Sequence, residues 1–165
     1  MLKQVKAGSP DDVGFRLNPV NAYYHLDVEG IRVGTFYSLT GGDIDVTVIE
    51  HNVVFPTGEA STLLIPGPVR FSPITLSRGF GNSAELYNWF ALAASGNIVQ
   101  ARKNGTITLN GFVNGEYKPL VRWNLTNAWP SKISGFESNQ YTGASVAKLS
   151  ITIVTEMIER EEGDL

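Results

Sequence analysis

The side chains of this 165-residue chain with the most chemical potential are few, and its only two histidines, His25 and His51, come first. Each has a carboxylate close by: Asp27 lies two residues after His25, and Glu50 adjoins His51. Two residues apart on a strand share a face, so a metal pair can be drawn there. Neither spacing matches a recognised ligand set, and a chain without cysteine has no thiolate to complete one. The spacing assigns no metal. Serine is frequent, but none sits in a Gly-x-Ser-x-Gly elbow, so no hydrolase nucleophile is indicated. Gly79-Phe80-Gly81 lacks the third glycine of a dinucleotide loop and reads as a turn into a helix. Asn104-Gly-Thr106 and Asn124-Leu-Thr126 have the form of glycosylation sequons. The opening "MLKQVKAGSPDDVG" shows no apolar run of the kind a secretion signal needs, so these are taken as chance matches. Trp89, Trp123 and Trp129 have the surface to stack on sugar rings. Trp89 falls on a helix's apolar face and Trp123 shares its phase with Val121 and Leu125, which favours core packing for both. Trp129, before Pro130, stays open. No catalytic residue and no cofactor is assigned.

The elements around these residues are mostly strands. In "YYHLDVE", Tyr24, Leu26 and Val28 alternate with Tyr23, His25 and Asp27, and Glu29-Gly30 turns the chain into "IRVGTF" as a hairpin. After Gly41-Gly42, Ile44, Val46 and Val48 face one way while Asp45 and Thr47 face the other. Residues 51–66 do not alternate cleanly. They read as a long irregular loop with a Pro-Thr-Gly-Glu tip, carrying Val53, Val54, Phe55, Leu63, Leu64 and Ile65. An exposed apolar segment marks a contact. In "VRFSPITLSR" the apolar phase flips at Pro73, which predicts a bulge or an edge there. Next comes a helix over about 83–95: Asn82 and Glu85 form a capping box, Leu86, Trp89, Phe90 and Ala93 make one apolar face, and Gly96 stops it. "NIVQA", "TITLNGFV", "YKPLVRWNLTNAW" and "SVAKLSITIVTEM" read as further strands. The sum is a mainly β fold, an antiparallel barrel or sandwich with one flanking helix. Residues 1–19 read as an extended arm, 20–157 as the β domain, and 158–165 as a charged tail.

Composition narrows the function. Apolar residues at 42% and charged residues at 18% give a globular chain with enough apolar material for a core. A net charge of −3, with the basic residues scattered, provides no field to recruit nucleic acid. The stretch "WFALAA" is far too short to span a bilayer.

Three motifs in order carry a resemblance. They are Pro66-Gly67 with Val69, Phe71, Ile74, Thr75, Leu76, Arg78 and Gly79; then Glu85, Leu86, Tyr87, Trp89 and Phe90; then Arg122, Trp123, Leu125, Asn127, Ala128, Trp129 and Pro130. Over roughly 22–157 the sequence resembles the tail tube proteins of contractile phages and of phage-derived contractile injection particles. It departs from the family's pattern at Lys148, where a glutamate is common, and in its longer N-terminal arm.

The resemblance implies a structural part and not an enzyme. Hexameric rings would stack into a hollow tube inside a contractile sheath, with DNA or effector proteins in the lumen. It implies a sheath, a baseplate or hub and a tube terminator as partners. It also implies assembly in the bacterial cytoplasm and a place in a virion or an extracellular injection particle. On this reading the loop with Val53, Val54, Phe55, Leu63, Leu64 and Ile65 stacks one ring on the next. The polar phases Asp45 and Thr47, and Lys148, Ser150 and Thr152, are expected to face the lumen. A tube initiator at the baseplate is an alternative of the same fold, and a carbohydrate-binding β-sandwich an alternative of another class.

Overall fold

The computed structural model describes residues 22–79, 83–137 and 148–162. The 1–19 arm, Asn82 of the capping box and the last three residues lie outside them. In chain order the strands are β1 (Tyr23–Val28), β2 (Ile31–Phe36), β3 (Ser38–Gly41), β4 (Ile44–Val54), β5 (Ala60–Phe71) and β6 (Ile74–Gly79). Helices α1 (Ala84–Ala94) and α2 (Ile98–Ala101) follow, and then β7 (Lys103–Val113), β8 (Glu116–Glu137), β9 (Lys148–Val154) and β10 (Met157–Glu162).

Eight strands form one antiparallel sheet in the order β2-β1-β7-β8-β9-β6-β3, with β10 also on β8, while β4 and β5 form a separate two-stranded sheet. Glu29 (φ 52) and Gly30 (φ 79) make the two-residue β1–β2 turn, and Asn114 (φ 52) and Gly115 (φ 88) repeat that geometry between β7 and β8. β8 holds the sheet together. Residues 121–126 of β8 have β7 on one edge and β10 on the other. Farther on, β9 takes up the edge that β10 occupied, and the register passes unchanged from Met157 opposite Thr126 to Val154 opposite Trp129. β9 and β10 are thus one strand, interrupted at Thr155 and Glu156. The residues read as a charged tail continue this strand as far as Glu162.

The apolar alternation foretold for β1 and β9 is what builds the core. Leu26, Val28 and Ile107 meet Leu76, Leu149, Ile151 and Ile153 in one buried cluster that also takes Leu125 and Ile158. The two ends of the sheet must therefore fold toward each other. The chain itself joins them: β2, at one edge, runs through Tyr37 into β3, at the other, and the Tyr37 N–H reaches the Ser77 carbonyl at 3.0 Å. The sheet is not closed into a barrel by hydrogen bonds.

α1 lies over β8 and β2 with Leu86 and Trp89 buried. It ends where expected, at Gly96 (φ 79). "NIVQA" is not a strand. Asn97 accepts a hydrogen bond from the Gln100 N–H through its side chain, and the segment closes into the single turn of α2. This local cap outweighs the β-propensity of Ile98 and Val99, both of which are exposed.

Candidate functional site

The titratable candidates do not converge. His25 points away from the core, with its Nδ1 3.0 Å from the Thr35 hydroxyl. Burial, aided by Arg32, pushes its pKa below 6.5, and Asp27 only partly opposes this. Asp27 is engaged by Arg32 at 3.1 Å. His51 stands on β4 opposite Leu63, exposed to solvent. Among the described residues no group of three His, Cys, Asp or Glu side chains is placed to hold a metal ion. Trp89 is buried and Trp123 packs on the core's edge, as their phases foretold. Trp129 is half-buried beside Ala93, Ile98, Ala101 and Arg102, where it lines a shallow space of about 240 Å³.

Two surfaces stand out instead. The first is a band of hydroxyls on the face opposite the core. Ser77 meets Ser150 at 3.0 Å and Thr75 meets Thr152 at 3.1 Å across the β6–β9 ladder. Ser38 and Thr40 continue these rows on β3, and Ser134 and Lys132 continue them on β8. Of the residues expected to face a lumen, Ser150 and Thr152 belong to this band and Lys148 follows them, exposed, at its end. Asp45 and Thr47 do not, because they lie on the separate β4–β5 ribbon.

The second surface is that ribbon. Residues 51–66 are not an irregular loop. Val53 and Val54 close the end of β4, Leu63, Leu64 and Ile65 belong to β5, and only 55–59 form a turn, with the Phe55 N–H bonded to the Glu59 carbonyl at 2.9 Å. The mixed sequence of 51–66 hides the strands because both faces of the ribbon carry apolar side chains, so the alternation of Ile44, Val46 and Val48 does not continue through it. The bulge is also elsewhere than expected. It lies in β5 at Gly67 and Pro68, where the register shifts between Val46 and Val48. A side chain on Gly67 would meet the Thr47 carbonyl at 2.8 Å, which is why the position is glycine.

The phase flip at Pro73 is a hinge. Gly41 (φ 84) and Gly42 (φ 76) are both left-handed, and they face a proline that has no N–H to give the ladder. The Ser72 hydroxyl bridges the gap, accepting from the Asp43 N–H at 2.7 Å. This twist lets Phe71 and Ile74 both reach the core although an unbroken strand would set them on opposite faces. Beyond the hinge the ribbon leaves the body. Ten of the seventeen exposed large apolar side chains among the described residues lie on it: Ile44, Val46, Val48, Ile49, Val54, Phe55, Leu63, Leu64, Ile65 and Val69. The exposed apolar side chains run from the tip, singled out in the sequence, to the base, where Ile44, Val46 and Val48 alternate with Asp45 and Thr47 as the sequence predicts.

The remaining motif residues lie elsewhere on the fold. Pro66 and Gly67 shape the bulge. The Arg78 guanidinium lies 5.6 Å from the Phe36 ring centroid, and Gly79 ends β6. Phe90 is half-buried on α1. Arg122 is exposed, between Thr108 on β7 and Glu161 on β10. Asn127 takes a left-handed φ of 51 where β8 passes from β10 to β9, held by the Asn104 and Glu156 side chains. Pro130 is buried just beyond, opposite Ile153.

Residues 20–159 match the family of the T4-like virus tail tube protein gp19. Among solved structures, one similar chain comes from an extracellular contractile injection system, the PVC sheath–tube complex in its extended state. It is 22% identical, with a TM-score of 0.60 over 84% of this chain and 88% of that one. A second, from the tube-terminating cap of the anti-feeding prophage, is 21% identical with a TM-score of 0.61 over 97% and 96%. A third, from the PVC sheath/tube terminator in its extended state, is 26% identical with a TM-score of 0.59 over 84% and 92%. No curated protein matches the chain.

Proposed function

Because the chain belongs to the T4-like virus tail tube protein gp19 family, and is therefore a structural subunit of a tube, we propose that its copies close into hexameric rings and that these rings stack around a lumen that passes DNA or effector proteins. The observation that carries this reading is the β4–β5 hairpin, whose apolar side chains are exposed on both faces. A two-stranded ribbon alone is marginally stable in water, and contiguous exposed apolar surface marks a contact. Val53, Val54, Phe55, Leu63, Leu64 and Ile65, near the tip, are the stacking residues in this reading.

The hydroxyl band with Lys148, Ser150 and Thr152 is the proposed lumen lining. Its serines and threonines are small, paired with one another across β6 and β9, and short of apolar area for cargo to stick to. Similar chains occur in a sheath–tube complex and in terminator assemblies. The partners proposed for this chain are accordingly a sheath, a baseplate and a terminator, in a phage or an extracellular injection particle. The role is mechanical, and no catalysis is proposed.

The test is assembly. Purified protein should form rings and stacked tubes visible by electron microscopy. Replacing 53–64 with a short Gly-Ser linker should leave the melting of the body nearly unchanged while abolishing tube growth. Long tubes from the shortened chain would overturn the stacking role, and a chain that stays monomeric at high concentration, even when seeded, would overturn the tube reading.

A further inference from the structure

Three asparagine–glycine pairs follow one another closely along β7 and its turn: Asn104-Gly105, Asn110-Gly111 and Asn114-Gly115. In such a pair the glycine nitrogen can attack the asparagine side chain, because glycine has no Cβ to shield its own amide. The fold treats the three differently. Gly105 is buried and paired with Val28 on β1 and Leu125 on β8, and the Asn104 side chain accepts from the Asn127 N–H at 3.1 Å. Gly111 is buried opposite Lys118, so close to Leu120 that a Cβ there would fall 2.5 Å from its Cδ1, and the Asn110 side chain donates to the Thr108 carbonyl at 3.3 Å. Gly115 is exposed, and nothing lies within 4 Å of where its Cβ would be. With Asn114, also exposed, it makes the whole turn between the paired residues Val113 and Glu116, and its N–H has no backbone partner among the described residues.

We propose that Asn114 is a site of spontaneous deamidation and isoaspartate formation, and that the fold protects Asn104 and Asn110 from the same reaction. The Gly115 nitrogen, its proton lost to solvent base, bonds to the Asn114 side-chain carbonyl carbon. The bond from that carbon to Nδ2 breaks, and the side-chain nitrogen takes up a proton from water and leaves as ammonia. Water then opens the cyclic imide at either carbonyl and leaves aspartate or isoaspartate. Ring closure requires the asparagine to turn about its Cα–C bond until its side chain meets the next nitrogen. A ladder holds that angle extended at Asn104 and Asn110, whereas an exposed turn reaches the reactive angle by local opening. Isoaspartate adds a methylene to the main chain of a turn whose two residues both need positive φ, and it places a carboxylate beside Glu116. The strands just before and after the turn, where the Phe112 and Tyr117 rings meet at 5.2 Å, are loosened as a result.

The test is ageing of the purified full chain in mildly alkaline buffer, followed by peptide mass mapping for amide-to-acid conversion and by enzymatic methylation of isoaspartate. Asn114 should convert at least about tenfold faster than Asn104 or Asn110, because a turn opens more readily than a paired strand. In denaturant the three rates should converge. Equal rates in the folded chain, or a faster Asn104 or Asn110, would overturn the assignment. The same rate order in denaturant would trace it to sequence instead of fold and overturn it too. Asn114→Asp, which keeps a residue tolerant of the left-handed turn, should abolish the fast release of ammonia; a fast phase that survives would place the reaction elsewhere. Hydrogen exchange at 112–117 should be faster in the aged chain than in freshly made Asn114→Asp. Equal exchange in the two would overturn the loosening of the strands.

Discussion

The Trp89 indole N–H donates to the Ala101 carbonyl at 2.7 Å, and both residues are buried. One bond thus ties the main helix to the short turn after it, across a tight corner at Ser95 and Gly96. Trp89→Phe should keep most of the packing but leave that carbonyl without its indole donor, a cost of about 1–3 kcal/mol. Trp89→Ala should cost more, about 3–5 kcal/mol, because a cavity is added. Chemical denaturation of the pair, compared with the parent, measures both. A melt that hardly moves for the alanine variant would place Trp89 outside the core.

The hinge offers a matched comparison. Gly41 and Gly58 have nearly the same left-handed φ, 84 and 85, but a side chain at Gly58 meets nothing while one at Gly41 would fall 2.1 Å from the Pro73 carbonyl. Gly58→Ala should cost only the left-handed penalty of about 1–2 kcal/mol. Gly41→Ala should cost clearly more and loosen the ribbon at its root. Equal effects in thermal denaturation would mean that the hinge yields freely.

Ser77 and Ser150 form the most enclosed pair of the hydroxyl band. Ser77→Ala and Ser150→Ala should each destabilise by about 1 kcal/mol, and the double variant by less than the sum, because each single change strands the other hydroxyl. A double-mutant cycle with no coupling would make the pairing incidental.

His25 predicts a pH effect with a definite sign. Its pKa is lowered in the folded chain, chiefly by burial and then by Arg32, with Asp27 opposing. As pH falls, the unfolded chain takes up this proton first. The contribution of His25 is therefore complete above about pH 6.5 and lost as the pH drops through the lowered folded value. Melting temperatures measured from pH 7.5 to 5 should fall, and His25→Gln should flatten part of that slope. An identical slope in the variant would remove His25 as its cause.

The alternation in β1 and β9 was legible in the sequence because one face of each strand is buried and the other is not. The α1 stripe of Leu86 and Trp89 was legible for the same reason. The hairpin was hard to read as structure because apolar side chains lie on both of its faces: Ile49 and Leu63 obey strand geometry and yet stay exposed. Its apolar content still marked it as a contact. The turn of α2 was not legible because a local hydrogen bond from the Gln100 N–H to the Asn97 side chain decides it, against the preference of two β-branched neighbours. The phase flip at Pro73 was visible, but its resolution by Gly41 and Gly42 depends on the pairing of Gly41 with the distant Ile74, which periodicity alone does not report.

The length of β8 has a mechanical meaning. Its 22 residues amount to about 70 Å of backbone. That backbone is a single spar common to both halves of the sheet, flanked lengthwise by β7 on one side and by β10 and β9 on the other. A thrust applied along this spar loads its cross-strand bonds in shear, many at once, instead of peeling them apart one by one. Bonds loaded together resist such a thrust better than bonds loaded singly, and the β4–β5 hairpin, a separate two-stranded sheet beyond Gly41 and Gly42, stands outside this shared load.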